Sequence, residues 1–92
     1  QETLCIEIKT TERWIDNDQA AFYLSSNEYF QSTQKQNYVF HFWDIKNKNS
    51  PSLAVVKKKE VYKHMPEDQG EGEWQNVKIF FKPFEDKFTR VN

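Results

Sequence analysis

The sequence predicts an α+β domain: a β-sheet of about four to six strands, an ordinary sheet size, with at least one helix packed on it. Three observations carry that reading. Thr3 to Thr10 alternates apolar and polar side chains as a strand does. Ser25-Ser26-Asn27-Glu28 spells a helix start. Tyr38 to Ile45 (YVFHFWDI) is an almost unbroken apolar and aromatic run, as expected of a central strand covered on both faces.

Taken in order, the first strand sets Ile6 and Ile8 on one face, expected to be dry, and Cys5, Glu7 and Lys9 on the other. Thr11 to Gln19 (TERWIDNDQ) is polar and reads as a loop or hairpin tip with Trp14 folded back. Ala20 to Leu24 is a second short strand. At the helix start, the Ser25 hydroxyl can accept from the Glu28 N–H while the Glu28 carboxylate reaches back to the Ser25 N–H. The helix is expected to run to about Gln36, with Tyr29, Phe30 and Thr33 facing inward.

After the aromatic strand, Asn47 to Ser50 reads as a turn and Leu53 to Val56 as another strand. Lys57 to Lys63 either continues that strand or forms a short helix. Glu67 to Glu73 (EDQGEGE) holds both glycines and reads as a mobile acidic loop. Trp74 to Phe81 alternates again, with Val77, Ile79 and Phe81 on one face. The tail is polar apart from Phe84, Phe88 and Val91. There is no internal repeat.

Composition bounds the function. Ninety-two residues make one domain (1–92), near the lower end of independently stable sizes. Eight Phe, four Tyr and three Trp must supply its core, since each buries a large area. A net charge of −1 gives no global attraction to nucleic acid or to an anionic membrane, so any such contact needs a local patch. No run approaches a membrane span, and no signal-peptide pattern opens the chain. The lone Cys5 cannot form an internal disulfide and reads as a small apolar residue in a reducing, cytoplasmic setting. The abrupt opening Gln1-Glu2-Thr3 is read as a boundary within a larger multidomain protein.

Glu7 and Lys9 are the residues worth weighing for chemistry. Two apart on a strand, they emerge on one face. A carboxylate beside an ammonium suits metal-assisted phosphodiester hydrolysis: the acid helps hold Mg²⁺, and the lysine orients water or steadies the phosphate. A solvent-facing ion pair would account for the same two residues. Lys57, Lys58 and Lys59 form the best local candidate for phosphate contact. Asn27, in the first turn of the helix, is a further candidate. His41 reads as a sheet-face residue and His64 as surface, and nothing at metal-ligand spacing suggests zinc.

Cys5-Ile6-Glu7-Ile8-Lys9-Thr10-Thr11, then Phe22-Tyr23-Leu24-Ser25-Ser26-Asn27-Glu28, then Tyr38-Val39-Phe40-His41-Phe42-Trp43 together resemble the DUF3883 (NO VEIN C-terminal-like) family. The resemblance covers roughly residues 4–45. It implies a mixed sheet with a restriction-endonuclease-like core of the PD-(D/E)xK nuclease-like superfamily, lacking its N-terminal part. It also implies a DNA-handling role in a restriction or defence-type protein, with Glu7 as Mg²⁺ ligand and Lys9 as the catalytic cation. DNA and other domains of the parent protein are the implied partners. The superfamily's first acid lies on the strand before E-x-K, and this chain has no counterpart. An acid upstream of Gln1 would complete a Mg²⁺-dependent endonuclease; the chain as it stands is expected to be inactive. The alternative is a non-catalytic module, binding DNA or protein, that keeps the fold and has lost the chemistry.

Overall fold

A computed structural model gives the fold and describes residues 3–12, 19–65 and 75–91. Trp14, Trp74 and the acidic stretch 67–73 lie outside the described residues. The element order is β1 (Cys5–Thr11), β2 (Ala21–Ser25), α1 (Ser26–Gln34), β3 (Tyr38–Asp44), β4 (Ser52–Lys57), α2 (Lys58–Tyr62), β5 (Asn76–Phe80), a 3₁₀ turn (Lys82–Lys87) and β6 (Thr89–Arg90). The fold is α+β with a mixed sheet, as the sequence predicts.

The main sheet runs β1-β3-β4-β6, while β2 and β5 form a separate pair. β1 lies parallel to β3, with Glu7 opposite Phe40 and Lys9 opposite Phe42. The remaining pairs are antiparallel. A parallel neighbour requires a crossover, and β2 and α1 provide it. The capping box forms as predicted: Ser25 Oγ accepts from the Glu28 N–H at 3.0 Å, and Glu28 Oε1 accepts from the Ser25 N–H at 3.0 Å. The turn before β4 closes through the Ser50 N–H donating to the Asn47 carbonyl. Lys57 to Lys63 resolves into the short helix α2.

The core lies between one face of the main sheet and the β2–β5 pair. Alternation in β5 buries Val77 and Ile79, and Phe81 follows them inward. Phe22 reaches from β2 to within 4.9 Å of the Phe42 ring and 5.2 Å of the Phe81 ring, measured between centroids. Phe84, on the 3₁₀ turn, stands edge-on to Phe42 at 5.2 Å. These rings, with Phe40, Leu24, Val56 and Val61, are fully buried or nearly so.

Three expectations are corrected. On β1 the Ile6 and Ile8 face is open to solvent, at 46% and 58% exposure, while Cys5, Glu7 and Lys9 face the packed side. The alternation is there, but the layer that covers the strand lies on its polar face. β3 is central yet fully buries one face alone: Tyr38, Phe40 and Phe42 are buried, whereas Val39, His41 and Trp43 are half-buried. On α1, Phe30 and Thr33 point outward and Ser32 is the buried residue. A small serine lets the helix approach closely. Its hydroxyl donates to the Tyr29 carbonyl at 2.7 Å and pairs with the Tyr62 hydroxyl, and the Tyr29 and Tyr62 rings meet edge-on. Among the described residues, no helix is long and apolar enough to cross a membrane.

Candidate functional site

Glu7 and Lys9 share the packed face of β1 because the strand period is two. The parallel register sets that face beside the buried Phe40 and Phe42 of β3, and Tyr23 of β2 and Glu28 of α1 meet Lys9 over it. Lys9 is only 14% exposed in its side chain, so its ammonium needs partners within the protein. It has three. Lys9 Nζ donates to the Tyr23 carbonyl at 3.0 Å and to Glu28 Oε1 and Oε2 at 3.0 and 3.1 Å. Glu7 Oε2 lies 3.5 Å from the same nitrogen. The lysine also stands 6.0 Å from the centre of the Phe22 ring.

On sequence, Glu28 reads as a helix-capping residue ahead of any metal or substrate contact, and its pairing with Lys9 is not foreseen. The helix cap explains its presence, and the carboxylate has capacity for more: it accepts from the Ser25 N–H and still faces Lys9. Burial pushes its pKa up, but the Ser25 N–H and the Lys9 ammonium outweigh that and hold it below the usual carboxylate value. Glu7 lies close enough to interact with Glu28 as well. Two carboxylates and one ammonium thus form a small cluster of net charge −1.

Tyr38 completes the group. Its hydroxyl donates to Glu7 Oε1 at 3.0 Å. Burial, followed by that bond to a carboxylate, raises the phenol's pKa above its ordinary 10. The sign of the linkage follows: Tyr38 favours the fold fully below pH 10, and that contribution is lost as pH rises above it. Burial raises the pKa of the Tyr62 phenol as well, so an ultraviolet phenolate titration should show a late-ionising component to which Tyr38 and Tyr62 both contribute. Tyr38→Phe should remove one tyrosine's share of that late component and lessen the alkaline loss of stability.

The other predicted residues are dispersed. Asn27 is exposed in the first turn of α1, adjacent to Glu28. The three successive lysines diverge. Lys58 turns its amine onto the C-terminal end of α1, donating to the Ser32 and Lys35 carbonyls at 2.8 and 2.7 Å, and so acts as a helix clasp. Lys57 projects from the opposite sheet face to Lys9, as its register with Val39 requires. With Lys59 it borders a recess of about 360 Å³ that also takes in Leu4, Gln36, Asn37 and Val39. The structure therefore does not bring the lysine run together with Glu7 and Lys9.

As a cation site, the cluster offers hard carboxylate oxygens of the kind Mg²⁺ takes, and one or two protein carboxylates plus substrate phosphates suffice for that ion. Glu28 raises the number from one to two. Among the described residues, no group of three or more His, Cys, Asp or Glu side chains is gathered as a metal cage. Comparison of this chain with protein-family models, with curated proteins and with solved structures gives no match.

Proposed function

We propose that the Glu7–Lys9–Glu28 cluster is a phosphodiester-handling site on a restriction-endonuclease-like core, serving a DNA-handling module of restriction or defence type. The supporting observation is convergence: Glu28, nineteen residues from Lys9, lies within 3.1 Å of its ammonium through both carboxylate oxygens. Glu7 and Glu28 would hold the divalent ion. Bound there, such an ion supplies charge to a phosphoryl oxygen and acidity to a water. The chain's own part is positional. Tyr38 fixes Glu7 through its hydroxyl, the cap fixes Glu28, and Lys9 holds a positive charge where a phosphate oxygen would arrive. Asn27 stands at the exposed rim of the same helix turn and can meet a neighbouring phosphate. Lys57 and Lys59, on the far side, do not enter this reading, and an upstream acid would add a further ligand.

A second reading rests on an equally specific observation. Lys9 already has three partners inside the protein, the Tyr23 carbonyl, Glu28 and Glu7, as expected of a structural ion-pair keystone in a non-catalytic module. Glu28→Gln separates the two readings, because glutamine can keep the capping box while losing the charge. The measurement is Mg²⁺- or Mn²⁺-dependent cleavage of plasmid DNA by the intact protein, with melting curves taken alongside. A fall of roughly 100-fold or more in Glu28→Gln and Glu7→Gln, measured at a temperature where the melting curves show both variants still folded, is the result expected of a catalytic cluster. Wild-type protein that binds DNA without cutting it establishes the non-catalytic module.

A further inference from the structure

The open face of the main sheet carries an inference independent of the cluster. Register aligns Ile6 with Val39 and Lys57, Ile8 with His41 and Val55, and Thr10 with Trp43 and Leu53. Leu4, Ile6, Ile8 and Val55 on this face are 46–58% exposed. An apolar strip three strands wide is not a surface that a protein ordinarily leaves to water. It also backs the parallel β1–β3 pair, and parallel strands are a both-faces-covered arrangement whose covering layer is helical.

The dimensions agree. Three strands at their usual spacing make a strip about 10 Å wide, the diameter of one α-helix. The seven residues of β1 give it a length of roughly 23 Å, matched by a helix of about 15 residues. Charge then selects the partner. Within the strands of this face, Lys57 is the only charged side chain among the described residues, and the exposed Glu12 follows β1 at the opposite end of the strip. At the same end the recess adds Lys59. Neither amine has an ion-pair partner among the described residues.

We propose that this face docks one amphipathic helix, with its apolar stripe across Ile6, Ile8, Val39 and Val55 and its acidic, C-terminal end over Lys57 and Lys59. The negative end of the helix dipole and any terminal Asp or Glu then meet the two ammonium groups. Such a helix presents apolar residues at i, i+3, i+4 and i+7.

The test uses two synthetic helical peptides with one apolar stripe, carrying either glutamates or lysines in the last turn, titrated into ¹⁵N-labelled protein. The glutamate peptide should bind saturably and move the amides of Ile6, Ile8, His41 and Val55. Lys57→Glu and Lys59→Glu should each weaken it about tenfold while improving the lysine peptide, since reversing one charge swaps attraction for repulsion. Ile8→Asp should abolish binding and still fold, because the residue is on the surface. Equal binding of both peptides, or of neither, overturns the proposal. So does sedimentation of the free protein as a dimer that Ile8→Asp dissociates, since a second copy would then be the occupant.

Discussion

Phe42→Ala is expected to cost about 4 kcal/mol, in the range for emptying a well-packed aromatic site. Phe42 is fully buried, and its ring centroid lies within 5.9 Å of those of Phe22, Phe40, Phe81 and Phe84. These four come from β2, β3, the end of β5 and the 3₁₀ turn, so one ring ties the two sheets together. Collapse around the void would need all of these elements to shift at once. Domains of this size are stable by roughly 5–14 kcal/mol, so the variant should lose a large share of its folded reserve. The check is urea unfolding followed by tryptophan fluorescence, with Phe30→Ala as control. Phe30 is 56% exposed, and its truncation should stay within about 0.5 kcal/mol. Equal effects from the two variants would mean that the core is not assembled around Phe42.

Lys9→Met is the second large effect, and its signature is in the pH dependence. Removing the ammonium leaves Glu7 and Glu28 facing each other, partly buried, and strips the Tyr23 carbonyl of its donor. Breaking a buried pair from one side costs about 3–5 kcal/mol. Because both carboxylates keep some contact with water, about 2–3 kcal/mol is expected at pH 7. In the wild type, Glu28's pKa is lowered in the folded state, so its contribution is present above about pH 4.5 and lost as pH falls below that. In the variant the carboxylates repel, and protonating one relieves the fold. The gap between the two proteins should therefore narrow from pH 7 to pH 4, read as converging urea midpoints at constant slope. A gap that does not change with pH would mean that Lys9 contributes only through its methylene stem.

The residues legible in the sequence were those governed by near neighbours. The capping box needs only Ser25 and Glu28, and it stands as read. The β5 alternation is a period-two pattern and survives intact. The pairing of Glu7 and Lys9 on one face of β1 follows from the same period. What failed was the choice of which face is covered, because alternation states that two faces differ and not where the next layer lies. Phe30 was assigned inward on hydrophobicity, yet the approach of α1 was decided by Ser32 and Tyr62, thirty residues apart. Lys58 is a similar case. A run of three lysines reads as one patch, and only the chain's turn into α2 shows that the middle amine is committed to α1. Long-range contacts made the cluster too: neither Tyr38 on Glu7 nor Glu28 on Lys9 has a local signature.

The β2–β5 pair has a consequence for the order in which the domain is made. Its register joins Ala21 to Phe80 and Ser25 to Asn76, so the strand entering early waits for one entering near the end. Loop closure over such a span delays contact formation. On a ribosome adding residues one at a time, β1, α1 and β3 emerge while Phe22 and Leu24 still lack Val77 and Ile79 as a lid. The nascent domain should therefore acquire protease resistance in a single late step, after Phe81 has left the exit tunnel.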